Sequence, residues 1–157
     1  MSWRGSTTTQ ERIFACLPYL LPLLDGLVYG RYLFLQFPPL QLIFIPLAPL
    51  LQIYQVIPFF GLIVFFGLYL FVVRNENISH FIRFNTMQAI LLDIILILCG
   101  LILSILGQSL GGFIIETLSN MIFLGILASF IYTVVQSAMG RYAEIPTISD
   151  AVYMQVR

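Results

Sequence analysis

The chain has 157 residues, of which 60% are hydrophobic and 9% charged, with zero formal net charge and a mean hydropathy of +0.99. A soluble domain carries about a quarter charged residues, so lipid is the medium around most of this surface, and one compact helical bundle suits the length. Zero net charge leaves no global field to attract nucleic acid, and no nucleic-acid partner is expected.

The polar leader ends near Arg12, and an apolar stretch follows. Pro18 and Pro22 interrupt that stretch and no small-x-small cleavage site closes it, so it reads as a retained first span, residues 12–30, rather than a signal peptide. Each proline removes a backbone donor, so this face is expected to pack on protein or line water. Asp25 stands near the expected outer end of the span, where an acid can reach the headgroups. From Tyr32 to Val73 the chain is nearly uncharged and too long for one crossing. Pro38, Pro39, Pro46 and Pro49, with Gln41, Gln52 and Gln55, mark residues 40–55 as an interfacial or re-entrant segment. Pro58 then suits the first turn of a second span, 58–73. A third span is expected over 86–106 and a fourth over 118–139, joined by the turn-rich 107–112. The tail, 147–157, spaces Ile148, Val152 and Val156 as a short amphipathic helix capped by Thr147 or Ser149. The reading is all-α: a polytopic membrane protein of one domain, 1–157, with four transmembrane helices plus a proline-rich interfacial or re-entrant segment.

Arginine placement supports an even number of crossings. All seven basic residues are arginines. Four spans put Arg4, Arg12, Arg74, Arg83, Arg141 and Arg157 on one side and only Arg31 on the other. A further crossing at 32–53 would destroy this bias. The positive-inside rule therefore places both termini on the cytoplasmic or stromal side.

No catalytic constellation, metal-spaced His/Cys set or phosphate loop occurs, so neither enzyme activity nor a cofactor is expected. Cys16 and Cys99 lie in apolar runs and read as buried free thiols. Asp93 is the most informative residue: a carboxylate within a span costs about 2.5–3.5 kcal/mol on insertion scales, so it should face protein or water. Thr86, Asp93, Gly100 and Gly107 recur at seven-residue intervals, with Ser104 near the same side. That stripe either lines a hydrated path or locks helix packing. Asp25, Gln88 and Gln136 join Asp93 and Ser104 as candidates for either role. Gly125, Ser129, Thr133 and Ser137 form a small-xxx-small row, expected to be a packing seam. Arg74, His80, Arg83, Asn85 and Arg141 lie at the inner boundary, where topology and contact with lipid phosphate or a partner are expected. For Arg83, pairing with an acid is the alternative.

Several patches carry a resemblance: Val72-Val73-Arg74-Asn75, Ser79-His80-Phe81-Ile82-Arg83-Phe84-Asn85 and Met87-Gln88-Ala89, with Leu17-Pro18-Tyr19-Leu20 before them. Gly140-Arg141-Tyr142-Ala143-Glu144-Ile145-Pro146 and Ser149-Asp150-Ala151 follow. Together they resemble the twenty-kilodalton Tic family of the chloroplast inner-envelope protein translocon and its cyanobacterial relatives. The resemblance implies a four-helix subunit of a preprotein import complex that forms or borders a protein-conducting channel. It implies other translocon subunits as partners, an unfolded preprotein as substrate, and no cofactor. Nuclear-encoded plant members carry a transit peptide. The short leader here instead fits a cyanobacterial or plastid-encoded member, in a cyanobacterial membrane or the plastid inner envelope.

Two other classes fit the residues alone. A small-solute or ion transporter would use the proline-broken span, although no matching break or inverted repeat accompanies it. A non-conducting assembly or scaffold protein would use the polar residues only to lock packing. Four short spans leave little room for a lumen, so a pore is expected at a homo-oligomer or partner interface.

Overall fold

The computed structural model describes residues 7–156. The described residues form helices and connecting turns without a strand. Arg4 and Arg157, counted in the arginine bias, lie outside the described residues. Six helical elements follow in chain order: α1 (Thr9–Gln36), α2 (Pro38–Val56), α3 (Phe60–Val73), α4 (His80–Leu106), α5 (Gly112–Ala138) and α6 (Ile148–Gln155). Helices α1, α2, α4 and α5 are each long and apolar enough to cross a bilayer, and α3 is a shorter apolar helix. The protein is an all-α polytopic membrane protein.

Helix α1 begins at a reciprocal cap. The Glu11 amide donates to the Thr8 hydroxyl, and the Thr8 amide donates to the Glu11 carboxylate. The helix tightens into a 3₁₀ turn at Leu17–Tyr19, which holds Pro18, and again at Leu27–Gly30, while Pro22 lies in the α-helical stretch between them. Pro18 and Pro22 are buried, so the proline-bearing face of the helix packs on protein. The helix does not stop near Gly30 but runs on to Gln36. Asp25 therefore lies in mid-helix, not near the outer end, because Gly26 packs into the bundle instead of ending a helix. Helices α4 and α5 likewise start six residues before the expected 86 and 118. Ser79 caps α4, its hydroxyl accepting from the Ile82 amide. The polar run from His80 to Asn85 is helical because the bundle interior supplies its partners.

Side-chain pairings set the register. Tyr19 meets Asn85, Gly26 faces Leu96, and the Tyr29 hydroxyl lies over Gly100, so α1 and α4 run parallel. Cys16 donates to the Val134 carbonyl, Gly30 packs on the Phe123 ring, and Gln36 donates to Glu116, so α5 runs antiparallel to α1. The Arg83 Nε donates to the Val73 carbonyl, which puts the end of α3 beside the start of α4. The bundle thus has a near end (start of α1, end of α3, start of α4, end of α5) and a far end marked by Gln36 and Glu116.

Helix α2 leaves the far end, where α1 finishes. There Phe44 forms an aromatic cluster with Phe34 and Phe123, at ring-centroid distances of 5.5 Å and 6.3 Å. Its first part, Pro38–Leu47, is 3₁₀ and its remainder α-helical, and none of its residues is buried. Helix α3 arrives at the near end. Together α2 and α3 make one traverse, broken at Ile57–Phe59. Ile57 is extended ahead of Pro58, as a pre-proline residue prefers, and Phe59 adopts a left-handed conformation with φ 56°. Pro58 therefore lies in this turn, and α3 starts two residues later than expected. Tyr54 and Phe60 pack edge to face across the break at 5.4 Å.

The tail folds back onto the near end. Gly140 has φ +75°, and a Cβ there would lie 2.5 Å from the Thr7 hydroxyl and 2.9 Å from the Arg12 guanidinium. Only glycine satisfies both constraints. At Pro146–Ile148 the chain makes a γ-turn: Thr147 has φ 71°, and the Ile148 amide donates to the Pro146 carbonyl at 2.9 Å. Val152 of α6 and Val156, just past its end, then join Val73, Phe84, Met87 and Ile90 in the main apolar core. Thr147 makes no side-chain cap.

Candidate functional site

Among the described residues, two polar regions lie inside the bundle. The first is a sealed network toward the near end. Asn85 and Gln88, three residues apart on α4, share one face, and both are fully buried. Asn85 Oδ1 accepts from the Tyr19 hydroxyl at 2.7 Å and from Ser137 at 3.0 Å, while Asn85 Nδ2 donates to the Phe81 carbonyl at 2.8 Å. Gln88 Nε2 donates to the Tyr19 hydroxyl at 3.0 Å and to the Ala143 carbonyl at 2.6 Å. The single Ser149 hydrogen has two acceptors, the Ile145 carbonyl at 2.8 Å and Gln88 Oε1 at 3.2 Å. One network therefore ties α1, α4, α5, the tail strap and α6 together, with every amide atom of Gln88 and the Asn85 oxygen engaged. A satisfied buried network rigidifies and specifies one packing.

The second region lies halfway along the bundle. A cavity of about 370 Å³ is lined by Asp25, Tyr29, Tyr54 and Asp93 with Phe59, Phe60, Leu62 and Leu96. Asp25 comes from α1, Asp93 from the middle of α4, and Tyr54 from the last turn of α2 before the break. Asp93 is only 2% exposed. Its Oδ1 and the Tyr54 hydroxyl are buried without a hydrogen-bond partner. Tyr54 and Phe60 also wall a larger cleft of about 560 Å³, lined by apolar side chains such as Phe14, Leu17, Leu21, Val64 and Val72. It reaches toward the near end, and Thr86 contributes an unpartnered buried hydroxyl to it.

The other sequence-selected residues separate accordingly. Ser104 is exposed on the lipid-facing half of α4 and bonds only to its own helix, at the Leu101 carbonyl. Gln136 is half-buried beside the network helix face. Arg74 and Arg141 are exposed at the near end. Arg83 departs from the expected headgroup contact: it is 8% exposed, and its Nε is held by the Val73 carbonyl at 2.9 Å. The early start of α4 draws it into the packed end. Asn85 departs likewise, since its side chain points into the network and reaches neither lipid nor a partner. His80 shares a 2.8 Å hydrogen bond with the Tyr142 hydroxyl and stacks near Tyr153. Of the small-residue row, Thr133 and Ser137 are buried, Ser129 is half-buried, and Gly125 faces open space. The buried face of α5 runs instead through Ser119, Phe123, Ile126, Thr133 and Ser137. Tyr19 and Tyr54 carry no signal of their own in the sequence, and Ser149 reads there only as a candidate helix cap. Tyr19 and Ser149 do fall within its most distinctive patches.

Comparison with known proteins gives the family. The family model described as "Chloroplast import apparatus Tic20-like" matches residues 8–152. A Tic20 family protein of Synechocystis is 51% identical over 159 residues, covering 100% of this chain and 99% of the relative. Two chloroplastic Arabidopsis thaliana proteins are also similar. TIC 20-II is 40% identical, covering 96% of this chain and 74% of the relative. TIC 20-v is 35% identical, covering 96% and 73%. The near-complete coverage includes the helices that carry both polar regions, and the chain belongs to the Tic20 family.

Proposed function

We propose that this chain is a membrane subunit of a protein translocon that borders the path of a polypeptide in transit. Membership in a family described by a chloroplast import apparatus supports the translocon role. The observation that carries the path is the mid-depth cavity, where two acids and two tyrosines meet at the break between α2 and α3. The bundle interior below it is filled by the sealed network and leaves no lumen. A passenger would therefore travel along the side of the bundle at the broken traverse, at an interface with another copy or another translocon subunit. The near end gathers Arg12, Arg74, Arg83 and Arg141, and the far end holds Arg31, so the near end faces the cytoplasm or stroma. In this reading α1, the α2–α3 pair, α4 and α5 are the four crossings.

Asp25→Leu and Asp93→Leu test the reading. Each should lower preprotein translocation at unchanged protein level, because an apolar cavity wall no longer wets a passing chain. Normal translocation in both variants would remove the cavity from the mechanism. A non-conducting assembly role is favoured by one observation, the complete satisfaction of the Asn85–Gln88 network. Under that role the leucine variants would leave transport intact, while network variants would disrupt complex assembly.

A further inference from the structure

The mid-depth cavity is built to hold something, and its chemistry is one-sided. Its polar lining comprises two carboxyl groups and two phenols, with no arginine, lysine or histidine among the lining residues. Asp25 and Asp93 both line it, at a depth where an uncompensated carboxylate is costly. Asp93 Oδ1, on a side chain 98% buried, and the Tyr54 hydroxyl both lack partners. Space for both phenols is also specified: a Cβ at Gly61 would stand 2.7 Å from the Tyr54 oxygen, and one at Gly100 would stand 2.5 Å from the Tyr29 oxygen. Phe59 and Phe60 add two aromatic faces to the wall, beside Leu62, Leu96 and Ile97. A volume of about 370 Å³ lies in the range of small-ligand sites, about 300–1,000 Å³.

Unpartnered oxygens, two carboxyl groups and aromatic faces, with no basic side chain among them, are the complement of a cation with several N–H donors. We propose that this cavity binds a guanidinium or ammonium group, presented by a basic side chain of the passenger polypeptide. The source rests on the translocon reading; the cation site does not. The side chain enters beside Phe59, where the left-handed turn parts α2 from α3, and its donors reach Asp93 Oδ1 and Tyr54. Each basic residue of a passenger then finds a stop at mid-depth that lowers the cost of carrying its charge through lipid.

Two arms of one experiment test this on the full chain in lipid nanodiscs. In the first, Phe59→Trp in a Trp3→Phe background reports binding of a short peptide with a single arginine, against the same peptide with neutral citrulline. The arginine peptide should bind about tenfold tighter or better, equivalent to about 1.4 kcal/mol, and Asp93→Asn should erase the preference. Asp25→Asn serves as the second variant should Asp93→Asn fail to fold, and Tyr54→Phe should weaken the preference in part. Equal binding of the two peptides, or none, overturns the proposal whatever the protein transports. In the second arm, a photocrosslinker at Phe59 is activated with an arrested passenger carrying arginine or citrulline at one position. A larger adduct yield with arginine supports the passenger as source. A cation preference in the first arm without passenger adducts in the second overturns the passenger as source and the translocon reading with it.

Discussion

Replacing Asn85 by leucine should be among the most damaging single changes in the molecule, and the structure sets its size. The side chain is fully buried, accepts from Tyr19 and Ser137, and donates to Phe81. Leucine keeps the branched shape but is larger, so it leaves no cavity and overpacks the site instead. The Ser137 hydroxyl can turn to a carbonyl one helical turn back on α5. The Tyr19 hydroxyl has no such recourse and becomes an orphaned buried donor, at about 1–3 kcal/mol. Lost inter-helix bonds within membrane proteins add about 0.6 kcal/mol each on average. These polar terms total about 2–4 kcal/mol, with overpacking in addition. Tyr19→Phe alone should cost about 1 kcal/mol, because Gln88 Nε2 keeps the Ala143 carbonyl as its acceptor. In the double variant the orphan no longer exists, so the combined loss should fall short of the sum by about 1–2 kcal/mol. Reversible unfolding in mixed micelles measures all four corners of this cycle. An Asn85→Leu cost within about 0.5 kcal/mol of zero, or strict additivity, would refute the network as the lock between α1, α4 and α5.

Backbone positions give further tests in the same assay. Gly140→Ala should cost about 1–2 kcal/mol, since φ is positive and Thr7 and Arg12 occupy the space of the new methyl group. Gly125→Ala, which faces open space on the same helix system, should be neutral or slightly stabilising. Thr147→Gly should raise stability by about 1 kcal/mol by relaxing the γ-turn ahead of α6. Gly30→Ala would bring a Cβ within 2.8 Å of the Phe123 ring, so it should destabilise, and Phe123→Leu in that background should recover part of the loss.

Much of the fold was legible because lipid imposes strong rules. The arginine bias implied an even number of crossings, and the helical bundle, with both described ends of the chain at the near end, is compatible with that count. Helix limits were less legible. Asp25-Gly26, the run from His80 to Asn85, and Glu116-Thr117 read as boundaries because they are polar or flexible. In the folded chain Gly26 packs against Ile126 and Leu96, Asn85 enters a network, and Glu116 meets Gln36, so each helix continues through them. The proline-rich 38–56 segment could not be placed from periodicity, since half of it is 3₁₀. The acidic cavity was half visible. Asp93 stood out as a charge inside an apolar helix, but its neighbour Asp25 was assigned to the wrong depth, and Tyr54 joins them only because the chain breaks at Phe59. Asn85 and Gln88 attracted notice as polar residues. Their mutual network stayed hidden because its partners come from three other parts of the chain.

The decisive measurement is a crosslinking map taken while a preprotein is arrested in transit. A photoreactive side chain is placed in turn at Leu62 on the cavity wall, at Ala89 inside the sealed bundle and at Ile105 on the exposed far half of α4. Passage along the broken traverse predicts passenger adducts from Leu62, none from Ala89 and few from Ile105. Adducts concentrated at Ala89 or Ile105, with Leu62 silent, would contradict it.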